Sequence, residues 1–201
     1  MTLPKIRYSR LRFYHFVDAK DQEMGTLEDF ILDTTTMQPT HFILGGGFFE
    51  EYLESTGSID DIDELAPLEI VDHIDNDYIV LVKTLDELET TNQDGALPIE
   101  GIKYSKFTKL SLEDREGPIS AEIIDYEFEY EHSRIVLNHF TLQDELRSQG
   151  YMQKFEFIVP IDKVSIQDQL IHLDLAKTDL IQMAQEQVEP KSIGRSIIQI
   201  N

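Results

Sequence analysis

Apolar and polar residues alternate with a period of two along much of the chain. Ile124, Tyr126, Phe128 and Tyr130 are interleaved with Asp125, Glu127, Glu129 and Glu131, the pattern of a strand with one buried and one wet face. Phe155, Phe157, Val159 and Ile161 repeat it, and so do Ile171, Leu173 and Leu175 around His172 and Asp174. Residues 40–44 and 78–82 are short β-branched runs of strand length, and residues 7–14 alternate like a first strand with Arg10 and Arg12 on its outer face. Helical stretches are brief, at 48–55, 85–90, 142–148 and 178–186. Many short strands punctuated by Gly, Pro, Asp and Asn predict a mainly β protein made of small barrels or sandwiches.

A shift of about 92 residues brings the two halves into register. Gly25 falls on Gly117, Leu27 on Ile119, Asp33 on Asp125 and Ile43-Leu44 on Ile135-Val136. After a one-residue slip Gly57 meets Gly150, Pro67 meets Pro160 and Val71 meets Val164; the slip then reverses, aligning Ile79 with Ile171 and Leu81 with Leu173. The matches keep their order and fall on glycine, proline and alternate apolar positions. They predict a tandem arrangement: a first small barrel at 1–90, a polar linker at 91–103 containing Gly95 and Pro98, and a second barrel at 104–201 with a C-terminal extension. A copy of about 80–90 residues is large enough for one closed barrel of five or six strands.

The run from Asp18 to Asp33, with Met24-Gly25 as an apolar-Gly pair and Leu27, Phe30 and Leu32 as apolar positions, resembles the opening hairpin of the PRC-barrel family. The run from Leu65 to Leu81, with Pro67-Leu68 leading through acidic turn residues into a last strand, resembles that family's closing part. The second copy is similar through Gly117, Ile119, Ile124-Asp125, Val159-Pro160-Ile161 and residues 171–175, but Pro118 follows its glycine, and the first copy has no early turn glycine near Asp21. The resemblance implies two tandem PRC-barrel-like modules that bind proteins, with no catalytic residues to carry over. Independently of it, Gly25 and Gly117 suit backbone that must bend, Asp33 and Asp125 suit local bonding to backbone donors, and Pro67 and Pro160 suit strand ends.

Charge sharpens the picture. The 201 residues contain 17 Lys and Arg against 39 Asp and Glu, a net charge of −22. Residues 1–20 carry five bases against Asp18 alone, residues 21–99 carry one base against 20 acids, and residues 100–201 carry 11 bases against 18 acids. Polyanionic partners, nucleic acid and anionic membrane alike, are disfavoured by this balance. The acidic section, with Asp60, Asp61, Asp63, Glu64, Asp72, Asp75 and Asp77, is the expected surface for a basic protein partner. No run of about 18 apolar residues marks a membrane span and no apolar stretch follows the basic start as in a secretory signal, so a cytoplasmic protein is expected.

The candidate chemistries are thin. Zero cysteine removes disulfides, thiolate metal sites and cysteine nucleophiles. Gly45-Gly46-Gly47 lacks a Walker lysine and is followed by Glu50-Glu51, which would repel a phosphate. His15, His41, His73, His132, His139 and His172 form no metal-spaced pair, and no acidic window supplies the ligands of an EF-hand. No nucleophile elbow is present. Neither a metal nor a cofactor is therefore expected. The apolar end, residues 191–201, could add a strand to its own module or to another copy. The sequence thus predicts a non-catalytic adaptor or scaffold that binds protein and self-associates. The alternative is an accessory factor in ribosome maturation or RNA processing that acts through a basic protein partner.

Overall fold

A computed structural model of the chain describes residues 5–45, 56, 62–75, 77–92, 96–129, 132–151 and 153–186. The fold is mainly β. The first half runs β1 (Ile6–Arg7), α1 (Tyr8–Leu11), β2 (His15–Val17), β3 (Glu23–Leu32), β4 (Pro39–Gly45), β5 (Glu64–Pro67), β6 (Val71–Asp75), β7 (Tyr78–Leu81) and β8 (Glu89–Thr90). The second runs β9 (Ile102–Lys103), α2 (Tyr104–Phe107), β10 (Ser111–Asp114), β11 (Gly117–Pro118), β12 (Ala121–Phe128), β13 (Arg134–His139), α3 (Phe140–Ser148), β14 (Phe157–Pro160), β15 (Val164–Gln167), β16 (Leu170–Leu173) and α4 (Lys177–Glu186).

The element order repeats, and so does the pairing. β2 lies parallel to β7 in the first half, and β10 lies parallel to β16 in the second. β3 pairs with β4 and β4 with β5; β12 pairs with β13 and β13 with β14. Single-turn 3-10 segments, Leu68–Ile70 and Ile161–Lys163, follow Pro67 and Pro160 at matching places. No closed barrel is found among the described residues. The large sheet runs β6-β7-β2-β3-β4-β5-β8 and two four-stranded sheets run β1-β12-β13-β14 and β11-β10-β16-β15, each an open path.

The halves exchange their first strands. β1 pairs antiparallel with β12, Ile6 opposite Phe128, while β9 pairs antiparallel with β3, Leu32 opposite Ile102. The segment 91–103 is therefore more than a tether: it ends in β9, and Leu97 and Ile99 pack on Ile31, Ile43 and Leu65. Just before β9, Gly101 has φ +150°, and a Cβ there would stand 2.5 Å from the Ile31 side chain and 2.9 Å from the Leu32 carbonyl oxygen. Only glycine permits that approach. Both halves contribute to a single buried cluster whose centre is aromatic. Phe30 packs against Tyr104 (ring centroids 4.6 Å), Phe128 (4.9 Å), Tyr126 (5.1 Å) and Tyr8 (5.2 Å).

Three sequence expectations change here. The helix expected at 85–90 is a single 3-10 turn, Leu85–Glu87, followed by β8. Residues 7–14 do not continue as one strand: after Arg7 the chain turns into α1, with Leu11 and Tyr14 buried and Arg10, Arg12 and Phe13 exposed. In β12 the strict alternation breaks at a bulge between Ile123 and Asp125, so Ile123 points inward, Ile124 outward, and Asp125 to Phe128 are all buried. A bulge inserts one residue and shifts the phase of everything after it. The helix expected at 48–55, Gly46-Gly47 and the end at 191–201 lie outside the described residues.

α3 begins on a histidine. His139 is buried and its Nδ1 accepts the Leu142 amide at 3.5 Å, serving as the N-cap. Burial pushes its imidazole below the usual range, with Asp114 opposing and Lys177 reinforcing the shift. Burial lowers His41 in the same way. An unfolded histidine takes up a proton near pH 6.5 while these resist it, so stability present above that pH is lost as pH falls through it. The urea midpoint is expected to drop over that interval, and less steeply in a His139→Asn/His41→Gln protein, where asparagine keeps a capping oxygen. An unchanged slope would place the titration elsewhere.

Candidate interaction surface

The place where the halves meet is built from two one-turn helices and two carboxylates. The amide of Ser9 in α1 donates to Asp125 Oδ1 at 3.0 Å and its hydroxyl donates to Oδ2 at 2.5 Å. In the second half the amide of Ser105 in α2 donates to both oxygens of Asp29 at 3.2 Å. The first amides of a helix have no intrahelical acceptor, and the opposite half supplies one. Each aspartate sits at a β-bulge, where it also accepts the amide of the next residue, Phe30 at 2.8 Å or Tyr126 at 2.9 Å. Ser9 and Ser105 are 96 residues apart, as are Asp29 and Asp125. The counterpart of Asp125 is thus Asp29, and not the Asp33 that a spacing of 92 selects.

Around this centre the tyrosines are held neutral. Burial raises Tyr8 to about 12 and drives Tyr104 and Tyr126 higher still. The sequence signal for the arrangement was a second register: Ile6-Arg7-Tyr8-Ser9-Arg10-Leu11 matches Ile102-Lys103-Tyr104-Ser105-Lys106-Phe107 at a spacing of 96. The matching registers change from 96 to 92 because the two halves have unequal loops.

The other motif residues take backbone positions. Gly25, at φ +110°, lies in the bulge where β2 and β3 change register opposite Phe16. Gly117, at φ +124°, pairs with Asp114 at the β10–β11 turn. Asp33 Oδ1 accepts the amides of Thr35 and Thr36 at 2.9 and 2.7 Å, and the Thr36 bonds hold its carboxyl below the usual range. Pro67 ends β5 opposite His41, and Pro160 ends β14 opposite Arg134.

The acidic residues separate into two groups. Asp63 is buried, 3.6 Å from Lys103, and Glu64 is half-buried in β5 between Leu44 and Thr90. Asp72, Asp75 and Asp77 are exposed on the β6–β7 hairpin, with His73 3 Å or less from Asp72. Asp60 and Asp61 lie outside the described residues. Among the described residues β6 is the terminal strand of the large sheet, and the acidic side chains flank an edge that pairs with no further described strand. The corresponding edge of the second half, β15, carries Ser165 and Gln167 in place of His73 and Asp75.

Open grooves lie between elements. One of about 340 Å³ lies beside the Ser9–Asp125 contact, lined by Tyr8, Arg12, Phe13 and Ile124 among others. Among the described residues no three His, Asp or Glu side chains converge as a metal site would require, and no helix is long and apolar enough to cross a membrane. Protein-family models give no match to the chain, and neither do curated protein sequences.

Proposed function

We propose that this chain is a non-catalytic tandem PRC-barrel-like adaptor whose first half binds a basic protein and whose purified form self-associates. The observation that supports it best is the unequal dressing of two equivalent sheet edges: Asp72, Asp75 and Asp77 are exposed on β6 and its turn, while β15 carries Ser165 and Gln167 and its turn the single carboxylate Asp168. A duplicated frame that keeps its pairing while changing its surface is suited to holding one partner specifically.

A nuclease-treated pull-down tests the reading. A basic protein is expected to remain bound after nuclease and to be released as salt rises, since exposed charge pairs are screened within about 10 Å at 0.1 M ionic strength. Loss of every partner on nuclease treatment removes the adaptor reading. A retained ribosomal protein would select the ribosome-maturation form of the same idea. Sedimentation over a concentration series checks self-association, and a monomer throughout removes that part.

A further inference from the structure

The repeat provides an internal control for the outer face of the large sheet. Strand partners share a face, so Tyr78 and Val80 of β7 lie beside His15 and Val17 of β2 on one side and Asp75 and His73 of β6 on the other. Tyr78 is 49% exposed, and Val82, two residues beyond Val80, is 58% exposed. The residues between them, Ile79 and Leu81, are the buried ones. This face is therefore the outer one; Val17, Tyr78, Val80 and Val82 form an apolar strip on it, bordered by His73, Asp75 and the His15–Glu23 ion pair of 2.6 Å.

Three of these four positions are polar in the second half, and the fourth, the counterpart of Tyr78, is Leu170. Parallel pairing sets His15 opposite Tyr78 and Val17 opposite Val80, as it sets Ser111 opposite Leu170 and Glu113 opposite His172. Val17 and Val80 thus correspond to Glu113 and His172, which form an ion pair, and Val82 corresponds to Asp174, which accepts from Arg115 Nε at 2.9 Å. One frame has two outer faces: at the centre of one, Glu113 and His172 form an ion pair, and at the same place on the other stand the half-buried Val17 and Val80, with Tyr78 and Val82 exposed beside them. The strand pairing is the same at the two faces, so pairing alone does not account for the apolar strip. Contiguous exposed apolar surface with a polar rim marks an interaction site.

From this face and its rim we infer a docking site for a basic protein segment that presents alternate apolar side chains to Val17, Tyr78, Val80 and Val82 and its lysines or arginines to Asp75, Asp77 and Glu23. The rim decides the occupant. Glu23 stands opposite Val17 and is shared with His15 at 2.6 Å, Asp75 stands opposite Tyr78, and Asp77 precedes β7; all three are exposed. A second copy docking by the same face would set this acidic rim against itself, and a nucleic acid would meet it with phosphates.

The inference rests on the adaptor reading and names its surface. A labelled peptide of alternating lysine and valine, titrated by fluorescence anisotropy against the full chain, tests it. Binding is expected to saturate, to weaken with salt, and to fall about tenfold or more in a Val80→Ser/Val82→Ser protein, as loss of central apolar contacts does. Asp75→Asn/Asp77→Asn is expected to reduce the salt dependence, and Leu170→Ser on the other face to leave affinity unchanged; thermal unfolding confirms that all three variants fold. Equal binding by the Val80→Ser/Val82→Ser protein overturns the site. So does a wild-type dimer that this variant dissolves, because the occupant would then be a second copy. If the native partner from the pull-down is retained by the variant, the site is wrong and the adaptor reading stands. If the peptide behaves as expected and no nuclease-resistant partner exists, the reverse holds.

Discussion

Phe30→Ala is expected to lower stability by about 3–5 kcal/mol, the range for removing a fully buried phenylalanine. Phe30 has no exposed surface and touches rings from both halves, Tyr8 of α1, Tyr104 of α2, and Tyr126 and Phe128 of β12. Offset and edge-on ring pairs contribute about 0.5–1.5 kcal/mol each beyond area burial, so several such terms vanish together with the packing. Domains of this size are stable by only about 5–15 kcal/mol, and the loss takes a large share of that. Urea unfolding followed at both far-ultraviolet and tyrosine signals should show one transition moving to lower urea. Two separated transitions, with only one shifted, would show that the halves unfold independently and that the shared aromatic centre does not couple them.

Asp125→Ala is expected to cost about 1–3 kcal/mol, because it removes the one carboxylate that accepts the amides of Ser9 and Tyr126 and the Ser9 hydroxyl. Asp29→Ala removes the acceptor of the Ser105 and Phe30 amides but no hydroxyl bond, so its cost should be smaller. The two positions are equivalent in the frame, and the difference between them isolates the Ser9 Oγ–Asp125 Oδ2 contact of 2.5 Å. A cycle with Ser9→Ala measures it directly: the Ser9/Asp125 double variant should cost less than the sum of the two single variants, and the matching cycle of Ser105→Ala with Asp29→Ala should be additive. Equal couplings in the two cycles would mean that the serine hydroxyls do not distinguish the halves.

Much of the strand content was legible because its cause is local. Phe157, Val159 and Ile161, then Ile171, Leu173 and Leu175, are buried as their alternation requires, and the helices at 142–148 and 178–186 correspond to α3 and α4. The breaks had non-local causes. The run from Arg7 to Tyr14 satisfies a period of two, yet α1 forms because the buried Asp125, 116 residues away, accepts the Ser9 amide. The phase of β12 is set by a bulge whose extra residue is needed to aim that same aspartate. Leu97 and Ile99 looked like part of a polar linker because two apolar residues among breakers carry no period, and their packing against Ile31, Ile43 and Leu65 depends on a turn between distant strands. Of the acidic candidates, Asp63 and Asp72 look alike in sequence; only the β9 lysine, Lys103, separates the buried one from the exposed one. The apolar outer face escaped notice because Val17, Tyr78, Val80 and Val82 are ordinary strand residues until their counterparts are set beside them.

The exchange of first strands fixes an order of events at the ribosome. Ile6 has no strand partner until Phe128 has been made, and Ile31 and Leu32 of β3 lack their pairing with β9 until Ile102 emerges. Synthesis proceeds at about 5–20 residues per second, so the first half waits several seconds with an unfinished edge and an incompletely covered aromatic centre. Pairings that close loops of this length also slow folding after release, since loop entropy is spent before the contacts form. Through that interval the nascent first half carries 20 acids against one base between residues 21 and 99. Mutual repulsion among neighbouring nascent chains is the protection such a fold requires. Neutralising those acids should therefore lower the soluble yield of the newly made chain more than it changes the stability of the finished one.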